Sequence, residues 1–245
     1  HNLNPEILGE VHLGSGNLEL RFGNLEKAIK HLSSAEEAFA RAGKEDRRAS
    51  AKINIANVHR KVGQFDIALE IILEAIEILE KTENNYMKAG GIETLGALYS
   101  EIGQYDKALG YFEEALQLFE KEENTANLQR TKGNIATMYF HLEEYSKAEA
   151  MYLSVLEFHT NKNRQVRNMV NFVGLCQVYL KQEKYAEALE TARQSTRLVN
   201  KTGQKGDLGF AIHLEALSHY HLGELPQAIS RGRAALEALE GSQSA

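Results

Sequence analysis

Gly103-Gln104-Tyr105-Asp106-Lys107-Ala108 decides the fold because it recurs. Gly63-Gln64-Phe65-Asp66-Ile67-Ala68 stands 40 residues before it, and Gly23-Asn24-Leu25-Glu26-Lys27-Ala28 another 40 before that. The same step leads forward to Glu143-Glu144-Tyr145-Ser146-Lys147-Ala148, Glu183-Lys184-Tyr185-Ala186-Glu187-Ala188 and Gly223-Glu224-Leu225-Pro226-Gln227-Ala228. Six copies at one spacing, without insertion, mean an array of one supersecondary unit.

Each copy reads as a turn between two helices. Gly opens four of the six and ends a helix in the left-handed conformation without a steric penalty. The third residue is bulky and can fold back onto the finished helix. The sixth is always Ala, which lets two helix axes approach to roughly 8–10 Å. Further rows keep the same register. Gly16, Ala56, Gly96, Ala136, Cys176 and Ala216 lie seven residues before the motif. Ala35, Ala75, Ala115, Val155, Ser195 and Ala235 lie seven after its Ala. Between them Leu32, Ile72, Phe112 and Tyr152 form a bulky row that is lost at Ala192 and Gly232.

Small residue, seven-residue gap, Gly-x-aromatic-x-x-Ala, bulky, small: this combination resembles the tetratricopeptide repeat over nearly the whole chain. The resemblance implies an all-α fold, a right-handed superhelical solenoid of six helix-turn-helix units with about twelve antiparallel helices. The family's step is commonly about 34 residues. The longer step here resembles the extended repeats of LGN/Pins, kinesin light chain and bacterial Rap-type proteins, and is expected to lengthen both helices. The family's tryptophan is absent. Lys52, Ile92, Lys132, Phe172 and Ile212 hold its place.

Composition narrows the functional classes. Lys and Arg number 28 against 34 Asp and Glu, a net charge of −6, which argues against a general nucleic-acid or anionic-membrane binder. One cysteine, Cys176, excludes an intramolecular disulfide framework and fits a cytoplasmic protein. No apolar run is long enough to span a bilayer. The chain begins with His1, so the expectation is a single array over residues 1–245 excised from a longer protein. No polar capping helix is visible after Glu240. The array is expected either to use repeat six as its cap or to continue past Ala245, with a frayed end from Ser242.

The first helix is expected over about residues 5–22. Repeat two should place helices at about 46–62 and 67–81. The latter carries Ile71, Ile72, Leu73, Ile76, Ile78 and Leu79 around one polar stripe of Glu70, Glu74 and Glu77, which reads as a helix sandwiched between neighbours. Gly90, Gly91 and Gly133 are expected to weaken their helices.

No catalytic or cofactor-binding constellation emerges. Gly14-Ser15-Gly16 lacks the strand before it and the Lys-Ser/Thr after it that a phosphate loop needs. His141-Leu142-Glu143-Glu144 lacks the second His of a zinc-protease helix. His219 and His221 are two apart on a helix and point about 200° apart. The expectation is no enzyme, no metal and no cofactor.

By resemblance, the first helix of each unit lines a concave groove. The family's groove positions fall on Asn17, Asn57, Thr137 and Gln177 in one row, on Asn54, Thr94 and Asn134 in a second, and on Arg21, Lys61, His141 and Lys181 in a third. Leu214, Leu217 and His221 continue these rows into repeat six. Asn54, Asn57 and Asn134 could grip a peptide backbone, since an amide both donates and accepts. Arg21, Lys61, His141 and Lys181 make a basic ladder for an acidic segment. A chaperone-tail clamp is not expected, because its first lysine position holds Leu13, Ile53, Glu93, Gly133, Val173 or His213. The leading function is a protein-interaction scaffold that binds a protein or peptide segment. The alternative is a peptide-responsive regulator resembling bacterial pheromone receptors. A monomer, or weak self-association through an uncapped end, is the expected assembly.

Overall fold

In the computed structural model, which describes residues 4–161, 169–202 and 205–243, the residue opening each motif has a positive φ. Glycine holds it at positions 23, 63, 103 and 223, with φ between 75° and 79°. Glutamate holds it at 143 and 183, with φ of 61° and 60°. The next residue's amide donates back five positions. Asn24 reaches the Glu19 carbonyl at 2.9 Å, Gln104 reaches Tyr99 at 2.9 Å and Glu144 reaches Tyr139 at 2.8 Å, and the other three turns match. With the shorter bond from the residue before, as from Gly23 to the Leu20 carbonyl at 3.2 Å, this closes a Schellman turn. Left-handed backbone costs a non-glycine residue roughly 1–2 kcal/mol. Packing therefore holds the Glu143 and Glu183 turns against local preference.

Among the described residues the chain is all helix: α1 (Pro5–Arg21), α2 (Leu25–Ala42), α3 (Glu45–Lys61), α4 (Phe65–Glu80), α5 (Asn85–Glu101), α6 (Tyr105–Lys121), α7 (Thr125–His141), α8 (Tyr145–Asn161), α9 (Met169–Lys181), α10 (Tyr185–Thr202), α11 (Lys205–His221) and α12 (Leu225–Gln243). The expected boundaries in repeat two hold within two residues. In the first repeat 17 and 18 residues are helical, so the forty-residue step is spent on helix rather than loop. Asn4 accepts from the Glu6 amide at 2.9 Å and Pro5 takes the first helical position, which fixes the start of α1. No helix among the described residues is long and apolar enough to cross a membrane.

The helices form two compact units, His1–Thr131 and Lys132–Ala245. In the first, α1 and α2 pack on α3 through Leu13, Leu32, Phe39, Ile55 and Val58, and α3 and α4 pack on α5 through Ile53, Ile72, Leu79, Leu95 and Leu98. Each fully buried Leu, Ile or Phe contributes about 1.5–3 kcal/mol. Successive first helices touch, α1 with α3 and α3 with α5, whereas α2, α4 and α6 make no comparable contact with one another. The first helices are therefore on the inner side of the stack. The second unit repeats the plan. Tyr152, Leu175 and Val178 fill one layer, Cys176, Ala192 and Leu214 another, and α9 touches α11.

Three expectations change. The α4 helix packs on the cluster before it through Ile71 and on the one after it through Ile76, yet it is wetter than its sequence suggests: Ile67 and Leu73 are exposed beside the glutamate stripe. The internal glycines at 91 and 133 are close-approach points rather than weaknesses. A Cβ on Gly91 would stand 3.2 Å from Ile76, and one on Gly133 would stand 2.8 Å from the Asn171 side chain. Finally, α12 stays helical to Gln243 and is no polar cap, since Leu225, Ile229 and Leu236 are exposed.

The packing sets three substitutions apart. A Cβ on Gly174 would overlap the buried Tyr152 ring, whereas one on Gly110 meets nothing within 4 Å. Gly174→Ala is expected to cost about 1–3 kcal/mol. Gly110→Ala should add about 0.5–1 kcal/mol. Glu143→Gly relieves left-handed backbone and should add roughly 1 kcal/mol. Urea unfolding of the three variants checks the order; equal midpoints for the two alanine variants would refute the packing account.

Candidate functional site

Every sequence-nominated residue lies on the first helix of its unit. In the first unit, the Asn54 side-chain amide donates to Asn17 Oδ1 at 2.9 Å, which links α3 to α1. Asn57 accepts from Arg60 at 3.2 and 3.3 Å, and Arg60 in turn pairs with Glu101 on α5. These asparagines thus have partners across or within the stack. The hydroxyl of Thr94 donates to its own helix at the Gly90 carbonyl, 2.9 Å away. Arg21 and Lys61 are exposed and make no ion pair among the described residues.

A second, buried connection was not foreseen. Glu93 is 7 % exposed, pairs with Arg130, and accepts from the Thr131 hydroxyl at 3.0 Å. It joins α5 to α7 within the first unit. Glu10 with Arg47 joins α1 to α3 in the same way. Glu10–Arg47, Asn17–Asn54 and Glu93–Arg130 are all 37 residues apart. A scan of the sequence for pairs three short of the repeat would have found them.

In the second unit, Thr137 donates or accepts with the buried Tyr152 hydroxyl at 2.9 Å and contacts the Gly133 carbonyl at 3.0 Å. Asn134 is half-buried and engaged. Burial lowers the pKa of His141 below the ordinary histidine value. Its charged form is therefore disfavoured, which weakens that rung of the basic ladder. Lys181 is exposed and makes no ion pair among the described residues.

Gln177 and Lys181 open onto a groove of about 420 Å³. Its floor is apolar: Phe140 from α7, Leu180 from α9, and Phe210, Leu214 and Leu217 from α11. His213 and His221 complete the rim with Lys181. The His221 ring stacks on Tyr185 at 4.7 Å, which fixes it at the edge. The sequence rows contained Leu214 and Leu217, and the signal was available there: leucine replaces Asn, Thr or Gln at both positions. Phe140, Leu180 and Phe210 lie outside those rows and were missed.

Other reactive groups are spent on structure. Burial pushes the Cys176 thiol up to about 12, and its sulfur faces the Ala188 carbonyl at 3.3 Å. His219 binds Glu224 at 2.5 Å across the last turn. Among the described residues no group of three or more His, Cys, Asp or Glu could hold a metal ion.

The sequence matches the tetratricopeptide repeat family over residues 8–81 and 89–161, more than half of the chain. No curated protein is significantly similar to it in sequence. Several solved structures share the fold. BtubC (BKLC) from P. vanneervenii has a TM-score of 0.78 and 19 % identity, over 90 % of this chain and 93 % of its own. RapI in its apo form has a TM-score of 0.77 and 14 % identity, over 100 % and 88 %. A Rap protein complexed with Competence and Sporulation Factor has a TM-score of 0.69 and 17 % identity, over 98 % and 77 %. At these identities the likeness is one of fold.

The lowered pKa of His141 gives a pH signature. Its folded pKa lies below the ordinary value of about 6.5. Above that value both folded and unfolded states are neutral, and the histidine adds no pH dependence. As pH falls through it, the unfolded chain takes up a proton more readily, and stability is lost. His141→Gln should lose less stability on the acid side than the parent. An NMR titration placing the His141 midpoint at or above the ordinary value would contradict this.

Proposed function

This chain belongs to the tetratricopeptide repeat family, and we propose that it is a protein-interaction scaffold whose first helices hold a segment of a partner. The observation that carries this reading is the groove of α7, α9 and α11, an apolar floor with a cationic and imidazole rim. A volume of about 420 Å³ suits a few side chains of an extended segment. The segment that fits is a peptide with an aliphatic or aromatic anchor beside a carboxylate: the anchor takes the floor and the acid faces Lys181. On the first unit, Arg21 and Lys61 favour acidic residues in the same way, while Asn17, Asn54 and Asn57 offer amides. The reading treats residues 1–245 as one binding array in the cytoplasm, with a binding rather than a catalytic role and no affinity for nucleic acid or membrane.

Peptides selected from a random display library against the immobilised chain test it. Selected peptides should be enriched in an apolar anchor next to Asp or Glu. They should bind Leu217→Asp at least about tenfold more weakly, a loss of about 1.4 kcal/mol. Leu73→Ser on the outer side of α4 should leave affinity unchanged. Peptides that bind Leu217→Asp as well as the parent would remove the groove from the reading.

A second reading, a peptide-responsive regulator, draws on the likeness to the Rap protein complexed with Competence and Sporulation Factor. A regulator changes its superhelix when peptide binds, because small shifts at each repeat interface accumulate along a stack. Small-angle scattering with a selected peptide separates the two: a smaller radius of gyration supports the regulator, and an unchanged one supports the scaffold.

A further inference from the structure

The outward faces of α1 and α12 break the burial pattern of the array in opposite directions along the chain. Leu18 is 51 % exposed, yet the residues in its register, Val58, Leu98, Met138, Val178 and Ser218, are at most 2 % exposed. Val11 is 59 % exposed, whereas its counterparts Ala51, Thr131 and Ala211 are fully buried. In the second repeat this face of the first helix packs on the helix pair before it, where Ala51 and Val58 meet Ala28, Leu32 and Phe39. On α12 the break lies on the face that a following repeat covers. Ile229 is 58 % exposed where Leu189 is 7 %, and Leu236 is 62 % exposed where Leu156 is 6 %.

The two faces fit each other when the register is carried on by six steps of forty. Ile76 meets Gly91 across an internal interface, and the same step sets Leu236 of one copy against Val11 of the next. That position already accepts Thr131, which has the shape of valine. The Glu10–Arg47 ion pair becomes Phe210 against Ile7, two exposed apolar side chains. Glu36, which binds Arg48 and Lys52 inside the chain, is replaced by Leu236 facing Leu8 and His12. Bulk is exchanged as well. Leu32 of the internal interface becomes Gly232, while Val58 becomes the larger Leu18, so the hole deepens where the knob grows. No like charges are brought together at these positions.

We infer that a second copy of this chain is the occupant: α12 of one copy docks on α1 of the next, head to tail, as a continuation of the repeat interface. Such a contact is heterologous, so each added copy leaves one α1 face and one α12 face open. Apart from Phe210, the interface uses none of the residues that line the groove.

Sedimentation velocity on the 245-residue chain from micromolar to millimolar concentration tests it. The parent should grow in mass with concentration. Val11→Glu/Leu18→Glu and Ile229→Glu/Leu236→Glu should each run as a single chain, with circular dichroism unchanged because all four sites are exposed. Lysine versions of the same pairs replace any glutamate variant that fails to fold. Mixed together, the two variants should form a complex of two chains and nothing larger, since each keeps one competent face. A parent that stays a single chain throughout overturns the inference. So does association that survives either variant, or that only the α1 variant abolishes, which would mean symmetric α1 pairing.

Discussion

One left-handed backbone residue at the end of each first helix sets the direction in which the second helix leaves. Its Schellman bond spends the last carbonyls of the first helix inside the protein, so the turn needs only three residues. A turn this short forces the two helices together within one turn of their ends. They can pack there only if small residues stand at the crossing, and the invariant Ala of the motif with the Gly, Ala or Cys row before it meets that need. Bulky side chains then fill holes made by glycine. Leu32 lies over Gly16, Phe112 over Gly96 and Phe39 over Gly9. The same exchange operates between repeats, where Tyr152 occupies the space that Gly174 leaves.

This dependence explains which parts of the structure could be read in advance. The six turns, the small rows and the helix limits follow from a strict period, because each is a property of one helix pair. The turns at Glu143 and Glu183 followed too, although neither residue favours left-handed backbone, because the register outweighs a local preference of about 1–2 kcal/mol. Contacts between repeats were harder. Helical periodicity says which way a side chain points but not what stands opposite. The periodicity therefore gave no sign that Arg130 and Thr131 from the next first helix enclose Glu93. Gly91 and Gly133 looked like helix weaknesses for the same reason.

The nominated residues were legible as first-helix residues, and the partners that several of them have inside the protein were not. All the nominated residues lie on first helices, and first helices are the ones that approach one another within each unit. The asparagine reading, however, took the amides of Asn54, Asn57 and Asn134 as available to a peptide backbone. Asn54 and Asn57 sit close enough to the neighbouring first helix or to Arg60 to be used by the protein itself. His141 is a weaker cation for a related reason, since partial burial disfavours its charged form.

Competition of this kind decides where a ligand gains most. To use Asn54, a peptide must displace the Asn17 hydrogen bond, so one bond replaces another and the net return is small; a typical bond contributes only about 0.5–1.5 kcal/mol even when formed outright. The floor formed by Phe140, Leu180 and Leu217 has no such internal partner to lose. Water covers it, and an apolar side chain placed there gains about 1.5–3 kcal/mol if fully buried. Exposed cations without ion pairs, Lys181 on the second unit and Arg21 and Lys61 on the first, then favour carboxylates without breaking anything. The physical order is an apolar anchor on the α9–α11 floor first, acidic flanks second, and backbone contacts to asparagine last.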